Sequence, residues 1–309
     1  MTIQQIRYAI TIADAGSINK AAQLLFVSQP SLTTAMQDLE RELNISIFNR
    51  GGRGVTLTGD GEDFIRHARG VLQQYDALAD NYSTASKLKK HFSVSTQHYT
   101  FAVKCFAEMV KQFHTDEYDL AIRECRTRDV IGDVISSRSE IGILYLSDFN
   151  RKAITKILNE NDLQFIKLVD CEACVYLWKE HPLARQKSIR FDQLREYPCL
   201  SFEQGADSSY YFSEELMSTE EYARAIKIND RATVLNLMVA LNGYTLCSGL
   251  ICEELNGSEY VAIPLEGDPE IMGGTMEIGY ITKKNMILSK RGERYIGEIH
   301  KYLVQEHRI

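Results

Sequence analysis

Residues 17–55, SINKAAQLLFVSQPSLTTAMQDLERELNISIFNRGGRGV, decide the reading of this 309-residue chain. At their centre Val27-Ser28-Gln29-Pro30 joins two helical patterns. Ser28 stands where an N-cap belongs, and Pro30 falls in the first turn, where its missing N–H costs nothing. The helix predicted over 29–43 buries Leu32, Ala35, Met36, Leu39 and Leu43, and its other face presents Gln29, Ser31, Thr33, Thr34, Gln37 and Arg41. Asn44 can take the left-handed conformation that stops it. Upstream, Ile3, Ile6, Ile10 and Ala13 form a helical stripe that Gly16 ends. Ser17 can cap the next helix, where small Ala21 and Ala22 let two helices approach closely. Downstream, strands are predicted at 45–48 and 55–57 around Asn49-Arg50-Gly51-Gly52-Arg53-Gly54. Two helices with a tight joint and a glycine- and arginine-rich hairpin predict a winged helix-turn-helix.

The outer face of the 29–43 helix carries hydroxyls and amides but no charge at its N-terminal end. Such groups suit base edges in a major groove, where Gln can pair with adenine and Thr can touch a thymine methyl. An isolated helix with this face would simply be solvated, so the wing matters. A plain hairpin needs glycines but not Arg50 and Arg53, which suit phosphates or a narrow minor groove. The formal charge of −7 speaks against a generic polyanion binder. Even in the N-terminal segment Arg7, Lys20, Arg41, Arg50 and Arg53 face Asp14, Asp38, Glu40 and Glu42. Non-specific binding should be weak, with affinity resting on a few arginines, on helix N-termini and on a dimer.

Thr58 can cap a long helix running to about residue 90. Phe64, Ala68, Val71, Tyr75, Leu78 and Tyr82 repeat every 3.5 residues on average, a coiled-coil seam. A helix of about 30 residues spans roughly 45 Å, enough to pair two subunits and space two reading heads. From residue 91 strand and helix patterns alternate, which predicts α/β architecture with mainly parallel sheets. Helices are predicted at 99–113, 127–136, 208–217, 232–241 and 289–305. Crossings near Ile166 and Gly267 would split this part into two lobes. The expected organisation is a DNA-binding domain at 1–58, a linker helix and hinge at 59–90, and a two-lobed α/β domain at 91–309. Its first lobe takes about 91–166 and 268–309, its second about 167–267.

No apolar run approaches the roughly 18 residues of a membrane span, and the N-terminus is not a signal peptide, so a cytoplasmic protein is expected. All seven cysteines lie after residue 100. Cys171 and Cys174 form a lone Cys-x-x-Cys with no second pair at zinc-site spacing. Buried structural thiols are the expectation, and no metal or cofactor is called for.

These residues resemble the LysR-type transcriptional regulators. AGSINKAAQLLFVSQPSLTTAMQDLERELNISIFNR followed by VTLTGDG matches the family pattern almost position by position. SEIGIL, WKEHPLARQKSIRFDQLREYPCLSF and ATVLNLMVALNGYTLCSGL match it more loosely along the rest of the chain. The resemblance implies a winged helix-turn-helix, a linker-helix homodimer and a two-lobed α/β effector domain like a periplasmic binding protein. It also implies a homotetramer acting on double-stranded DNA at an interrupted inverted repeat, with RNA polymerase as a further candidate partner. Gln29, Pro30, Ser31 and Thr33 lie where the family reads DNA, and Arg53 where its wing inserts. Arg50 lies at the base of the wing. Thr34 stands where the family usually has Arg, which removes a phosphate or guanine contact.

Clefts in open α/β folds sit at the carboxyl ends of strands. Thr96, Gln97 and His98 end the first strand of the effector domain, Thr127 follows the second, Glu203 and Gln204 follow the first strand of the second lobe, and Thr233 opens a later helix. These are the candidate effector contacts, although each threonine can equally cap its own helix and His98 can be structural. An enzyme is not expected: no G-x-S-x-G, H-E-x-x-H or phosphate-binding loop occurs. A thiol-based redox-sensing regulator of the same fold is the alternative, with Cys171, Cys174 and Cys199 as its candidate switch.

Overall fold

A computed structural model describes residues 1–51, 54–82, 90–113, 118–205, 209–267 and 275–306. The chain divides into two compact units, one of residues 1–87 with 135–138, the other of the remainder. The first unit holds α1 (Ile3–Ala15), α2 (Ile18–Leu24), α3 (Gln29–Leu43), β1 (Phe48–Gly51), β2 (Gly54–Leu57) and α4 (Gly59–Tyr82). Its helices start and stop on side chains the sequence supplies. Thr2 and Gln5 make a capping box on α1, Ser17 caps α2, and the Ser28 hydroxyl accepts the Ser31 N–H at 3.2 Å to cap α3. Gly16 and Asn44 end α1 and α3 at φ of 61° and 53°.

Ile6, Ala9, Ile12, Ala21, Leu32, Met36, Leu39 and Ile47 form the core of this unit. Fully buried Ala21 shows why a small residue stands there: α2 packs against both α1 and α3. A Glu40 carboxylate oxygen accepts the N–H groups of Ile47 at 2.8 Å and Phe48 at 3.1 Å, which fixes the entry to the wing. The first wing strand therefore begins at Phe48, later than the predicted 45–48. Gly61, a poor residue for a helix start, is explained by close approach: a Cβ there would stand 2.0 Å from the Ile47 carbonyl oxygen.

The expected coiled-coil seam divides along α4. Ala68 is buried in the core of the unit, whereas Val71, Tyr75 and Leu78 are exposed by 49%, 42% and 58%. The helix is described to Tyr82; the predicted hinge at 83–90 falls almost wholly outside the described residues.

The second unit contains β3 (Lys90–Thr96), α5 (Thr100–Lys111), β4 (Tyr118–Glu124), α6 (Thr127–Ile135), β5 (Ile141–Leu146), α7 (Arg151–Glu160), β6 (Leu163–Cys171), β7 (Cys174–Trp178), β8 (Ile189–Arg190), β9 (Cys199–Phe202), β10 (Ala225–Ile228), α8 (Arg231–Leu241), β11 (Thr245–Cys247), α9 (Glu253–Asn256), β12 (Tyr260–Glu266), β13 (Met276–Lys283) and α10 (Lys290–Gln305). The first lobe is a sheet in the order β4-β3-β5-β13-β6, with α10 against α5. β5 is buried along its whole length, as its unbroken apolar run requires. The second lobe holds β11-β7-β12-β8 and the parallel pair β10-β9. A bridge between Cys199 and Tyr244 joins them.

Several expectations change here. The sheets are mixed, not mainly parallel: β13 returns from the C-terminal part antiparallel to both β5 and β6. β6 stays paired with β13 to Cys171, so the crossing expected near Ile166 falls after that residue. The helix predicted at 208–217 is reduced to a single 3-10 turn, Tyr210–Phe212, because Glu214, Glu215, Leu216 and Met217 turn inward and are buried. Helix α7 was not among the predicted helices, although Ile154 and Leu158, its buried residues, stand at helical spacing.

Candidate functional site

Two candidate surfaces lie in separate units. On α3, Gln29, Pro30, Ser31, Thr34 and Gln37 are exposed and Thr33 is half-buried. The Gln29 amide donates to the Thr33 hydroxyl at 3.0 Å, and the Ser28 and Ser31 hydroxyls lie 2.7 Å apart. Ser31 and Thr34 border an open hollow shared with Thr2, Gln4, Gln5 and Tyr8 of the α1 end. The arginines of this unit are largely committed. Arg7 pairs with Asp76 at 2.5 Å, Arg41 with Asp38 at 3.0 Å, Arg66 with Asp63 at 2.7 Å, and Arg69 with Asp14. The exposed pairs Arg41–Asp38 and Arg66–Asp63 add little stability, but all four neutralise arginine charge that phosphates would otherwise attract. Arg50 lies in β1, and Arg53 lies outside the described residues.

In the second unit the carboxyl ends of β3, β9 and β11 meet around a cavity of about 80 Å³. Its polar wall includes His98, Thr100, Tyr176, Glu214, Glu215 and Arg231. Phe202, Val234, Leu235, Leu246, Leu250, Ile251 and Met276 supply most of its apolar wall. His98 stacks on Phe202 with ring centroids 3.7 Å apart and planes 3° from parallel. One Glu214 carboxylate oxygen receives the backbone N–H of His98 at 3.0 Å and meets its ring Nδ1 at 2.8 Å. The other accepts the Gln204 amide at 2.9 Å. Arg231 Nε lies 3.0 Å from the Glu124 carboxylate. Glu215 accepts the Phe202 N–H at 2.8 Å.

The electrostatics follow from burial. Glu215 is pushed up to about 7, first by burial and then by the neighbouring charge of Glu214, against the pull of the Phe202 N–H. Burial opposes charge on His98, yet the hydrogen bond and charge of Glu214, helped by Glu124 and Glu215, outweigh it and raise its pKa. Burial also lifts Glu124 above the usual carboxylate range, with Arg231 and His98 pulling the other way.

Of the seven predicted effector contacts, only His98 lines the cavity. Gln97 is a buried clamp: its carbonyl oxygen accepts the Tyr99 hydroxyl at 3.0 Å and the Tyr145 N–H at 3.1 Å, while its amide donates to Thr127 at 2.5 Å. Thr127 in turn donates its N–H to Gln204 at 3.2 Å. Thr96, Gln97, His98, Thr127 and Gln204 are thus brought together, mostly as the frame behind the wall. The buried Thr96 hydroxyl has no hydrogen-bond partner among the described residues. Glu203 turns outward toward Arg126 at 3.7 Å. Thr233 is exposed and donates its hydroxyl and N–H to Asp230, at 2.7 and 2.9 Å, so that Asp230 is the residue that caps the helix. Glu214, Glu215 and Arg231 are the charged groups that sequence reasoning missed.

The thiols of Cys105, Cys125 and Cys199 are pushed up to about 12 by burial, which makes them poor nucleophiles. Among the described residues no cluster suits a metal ion, and no helix is long and apolar enough to cross a membrane.

Comparison with known proteins adds two family matches. Residues 3–62 match the model of bacterial regulatory helix-turn-helix proteins of the lysR family, and residues 96–303 match the LysR substrate binding domain. An uncharacterized HTH-type transcriptional regulator, YbhD of Escherichia coli K12, is 23% identical over 95% of this chain and 89% of its own. Full-length OxyR C199D of Pseudomonas aeruginosa superposes with a TM-score of 0.67 at 18% identity, covering 98% of this chain and 94% of that one. Full-length CbnR, solved in complex with its target DNA, gives 0.58 at 17% identity, covering 98% of this chain and 100% of that one.

Proposed function

The chain belongs to the lysR family of bacterial regulatory helix-turn-helix proteins, a DNA-binding transcriptional regulator with an effector-binding domain, and from that premise we propose how it reads DNA and where it takes its effector. Gln29, Ser31, Thr33, Thr34 and Gln37 read base edges, Pro30 sets the start of the helix, and Arg50 and Arg53 hold phosphates or the minor groove. A homodimer forms through Val71, Tyr75 and Leu78 of the 59–90 linker and sets two heads on an interrupted inverted repeat. Two such dimers make the working tetramer, which acts in the cytoplasm and meets RNA polymerase there. The effector domain, 91–309, takes a small molecule in the cavity lined by His98, Glu214, Glu215 and Arg231.

The observation that supports this reading best is the uncharged amide and hydroxyl row at the capped N-terminus of α3, in a unit where Arg7, Arg66 and Arg69 are already paired with aspartates. Such a surface gains little from phosphates alone, so its affinity must come from base edges and from a second head. Footprinting the full chain on its own promoter region should show two protected half-sites related by two-fold symmetry, about one helical turn or a multiple apart. Protection of a single asymmetric stretch would rule out the paired-head arrangement.

A further inference from the structure

The charged groups around the cavity do not balance. Arg231 is held by Glu124 at 3.0 Å and His98 by Glu214 at 2.8 Å. Glu215, only 8% exposed, also lines the cavity, and among the described residues it has no cation within ion-pair distance. Its carboxylate accepts the Phe202 N–H at 2.8 Å. Lys227, on the adjacent strand, spends its ammonium group on the Ser201 hydroxyl at 2.8 Å. A buried carboxylate without a counter-ion is costly unless it is neutralised. Protonation is one solution; a cation delivered into the cavity is the other.

We propose that the cavity takes a short aliphatic ammonium ion, its charged head against Glu215 and its chain against Val234, Leu235, Leu246 and Ile251. The proposal rests on reading this cavity as the effector site. Size sets the class of chain. An apolar cavity of about 150 Å³ accepts benzene; this one, at about 80 Å³, fits a chain of about four carbons. Sign sets the head. A carboxylate ligand would add a negative charge beside Glu214 and Glu215, and both available cations already have partners. Aliphatic and aromatic side chains around one unpaired buried acid recognise a molecule of the opposite pattern, a small apolar body with one positive end.

The ammonium ion also changes the proton balance of the site. Glu215 titrates at about 7 because it is buried and close to Glu214. An adjacent positive charge favours its ionised form, so binding near neutral pH releases a proton. Among the described residues the other ionisable groups around it include His98 on the turn before α5, Glu124 at the end of β4, Glu214 beside it, Arg231 at the start of α8, Lys227 on β10, and Tyr99, Tyr145, Cys199 and Tyr222, whose pKa values burial raises. Of these, His98 and Glu124 are held above their ordinary values. An ammonium ion lowers them too, with the same sign of proton release.

The test uses the full chain with three probes of one carbon skeleton: n-butylammonium chloride, sodium butyrate and n-butanol, each against sodium chloride at equal ionic strength. The expected result is a saturable rise in Tm with n-butylammonium alone, with affinity rising between about pH 6 and 8. Glu215→Gln keeps an acceptor for the Phe202 N–H and should weaken that binding by at least about tenfold, the scale of one lost charge-assisted hydrogen bond. Equal or larger shifts with butyrate or butanol overturn the choice of a cation while leaving the cavity as the effector site. No shift with any probe overturns the proposal. Undiminished n-butylammonium binding by Glu215→Gln does so too. If n-butylammonium binds as expected but leaves the DNA footprint and affinity unchanged, the ligand class stands and the effector reading fails.

Discussion

The outer face of α3 and the wall of the cavity are both polar surfaces, but their polar groups live under different rules. On α3 the groups face water, so Gln29, Ser31, Thr34 and Gln37 can exchange partners with solvent. At the cavity wall and in the frame behind it the groups are buried or half-buried, and nearly every one is tied: His98 of the wall to Glu214, and behind it Gln97 to Tyr99, Tyr145 and Thr127 and Gln204 to Thr127 and Glu214. Water screens the first surface and tolerates substitution. Burial makes the second a connected network in which removing one group strands another. A reading surface can therefore be built from one helix, whereas a small-molecule site needs many segments to satisfy one another.

The largest expected effect falls beneath the first surface. Met36→Ala opens the fully buried core under α3 and should cost about 2–5 kcal/mol, read as a lower urea midpoint with loss of specific DNA binding. Full retention of binding would show that the position of α3 does not depend on this core. Next comes the pH response of the cavity. The folded state holds the Glu215 proton more tightly than the unfolded chain, since its carboxyl titrates at about 7. That contribution is complete below the ordinary carboxylate range and is lost as pH rises through about 7. Wild type should lose stability relative to Glu215→Gln across that window, and parallel urea midpoints from about pH 5 to 8 would contradict the burial of the charge.

Smaller effects separate the roles within the reading head. Gln29→Ala should relax base preference by about 1–3 kcal/mol at one position, while Arg53→Ala should weaken binding to all sequences alike and flatten the salt dependence. Quantitative binding to a panel of operator variants distinguishes them; an equal loss on every sequence for Gln29→Ala would remove its reading role. The smallest effect is Cys199→Ser. A thiol pushed up to about 12 by burial is a poor nucleophile, so DNA binding with and without peroxide should match wild type. A peroxide response that disappears in this variant would revive the thiol switch.

The head was legible because its signals are local. Ser28, Pro30 and Asn44 mark the ends of α3 within seventeen residues, and Leu32, Met36 and Leu39 repeat at helical spacing on its buried side. The same logic could have found α7, whose Ile154 and Leu158 are four apart. It misread residues 208–217 because local patterning treats Glu214 and Glu215 as a solvated face; their partners His98 and Phe202 are far away along the chain or across a turn.

Sequence alone determined the caps, the polar face of α3, the glycine- and arginine-rich composition of the hairpin and the family, each of which depends on neighbours within a few turns of chain. Tertiary structure alone decided the antiparallel return of β13, the division of the α4 seam into a buried and an open half, and the wall of the cavity. Those depend on segments as far apart as Thr100 and Met276. The physical reason is burial: a side chain in water keeps the meaning its local pattern gives it, whereas a buried charge takes its meaning from the partner that folding brings to it. The polar face of α3 was readable from its own helix, and Glu215 became a candidate site only when the fold placed it in a cavity wall with no cation partner among the described residues.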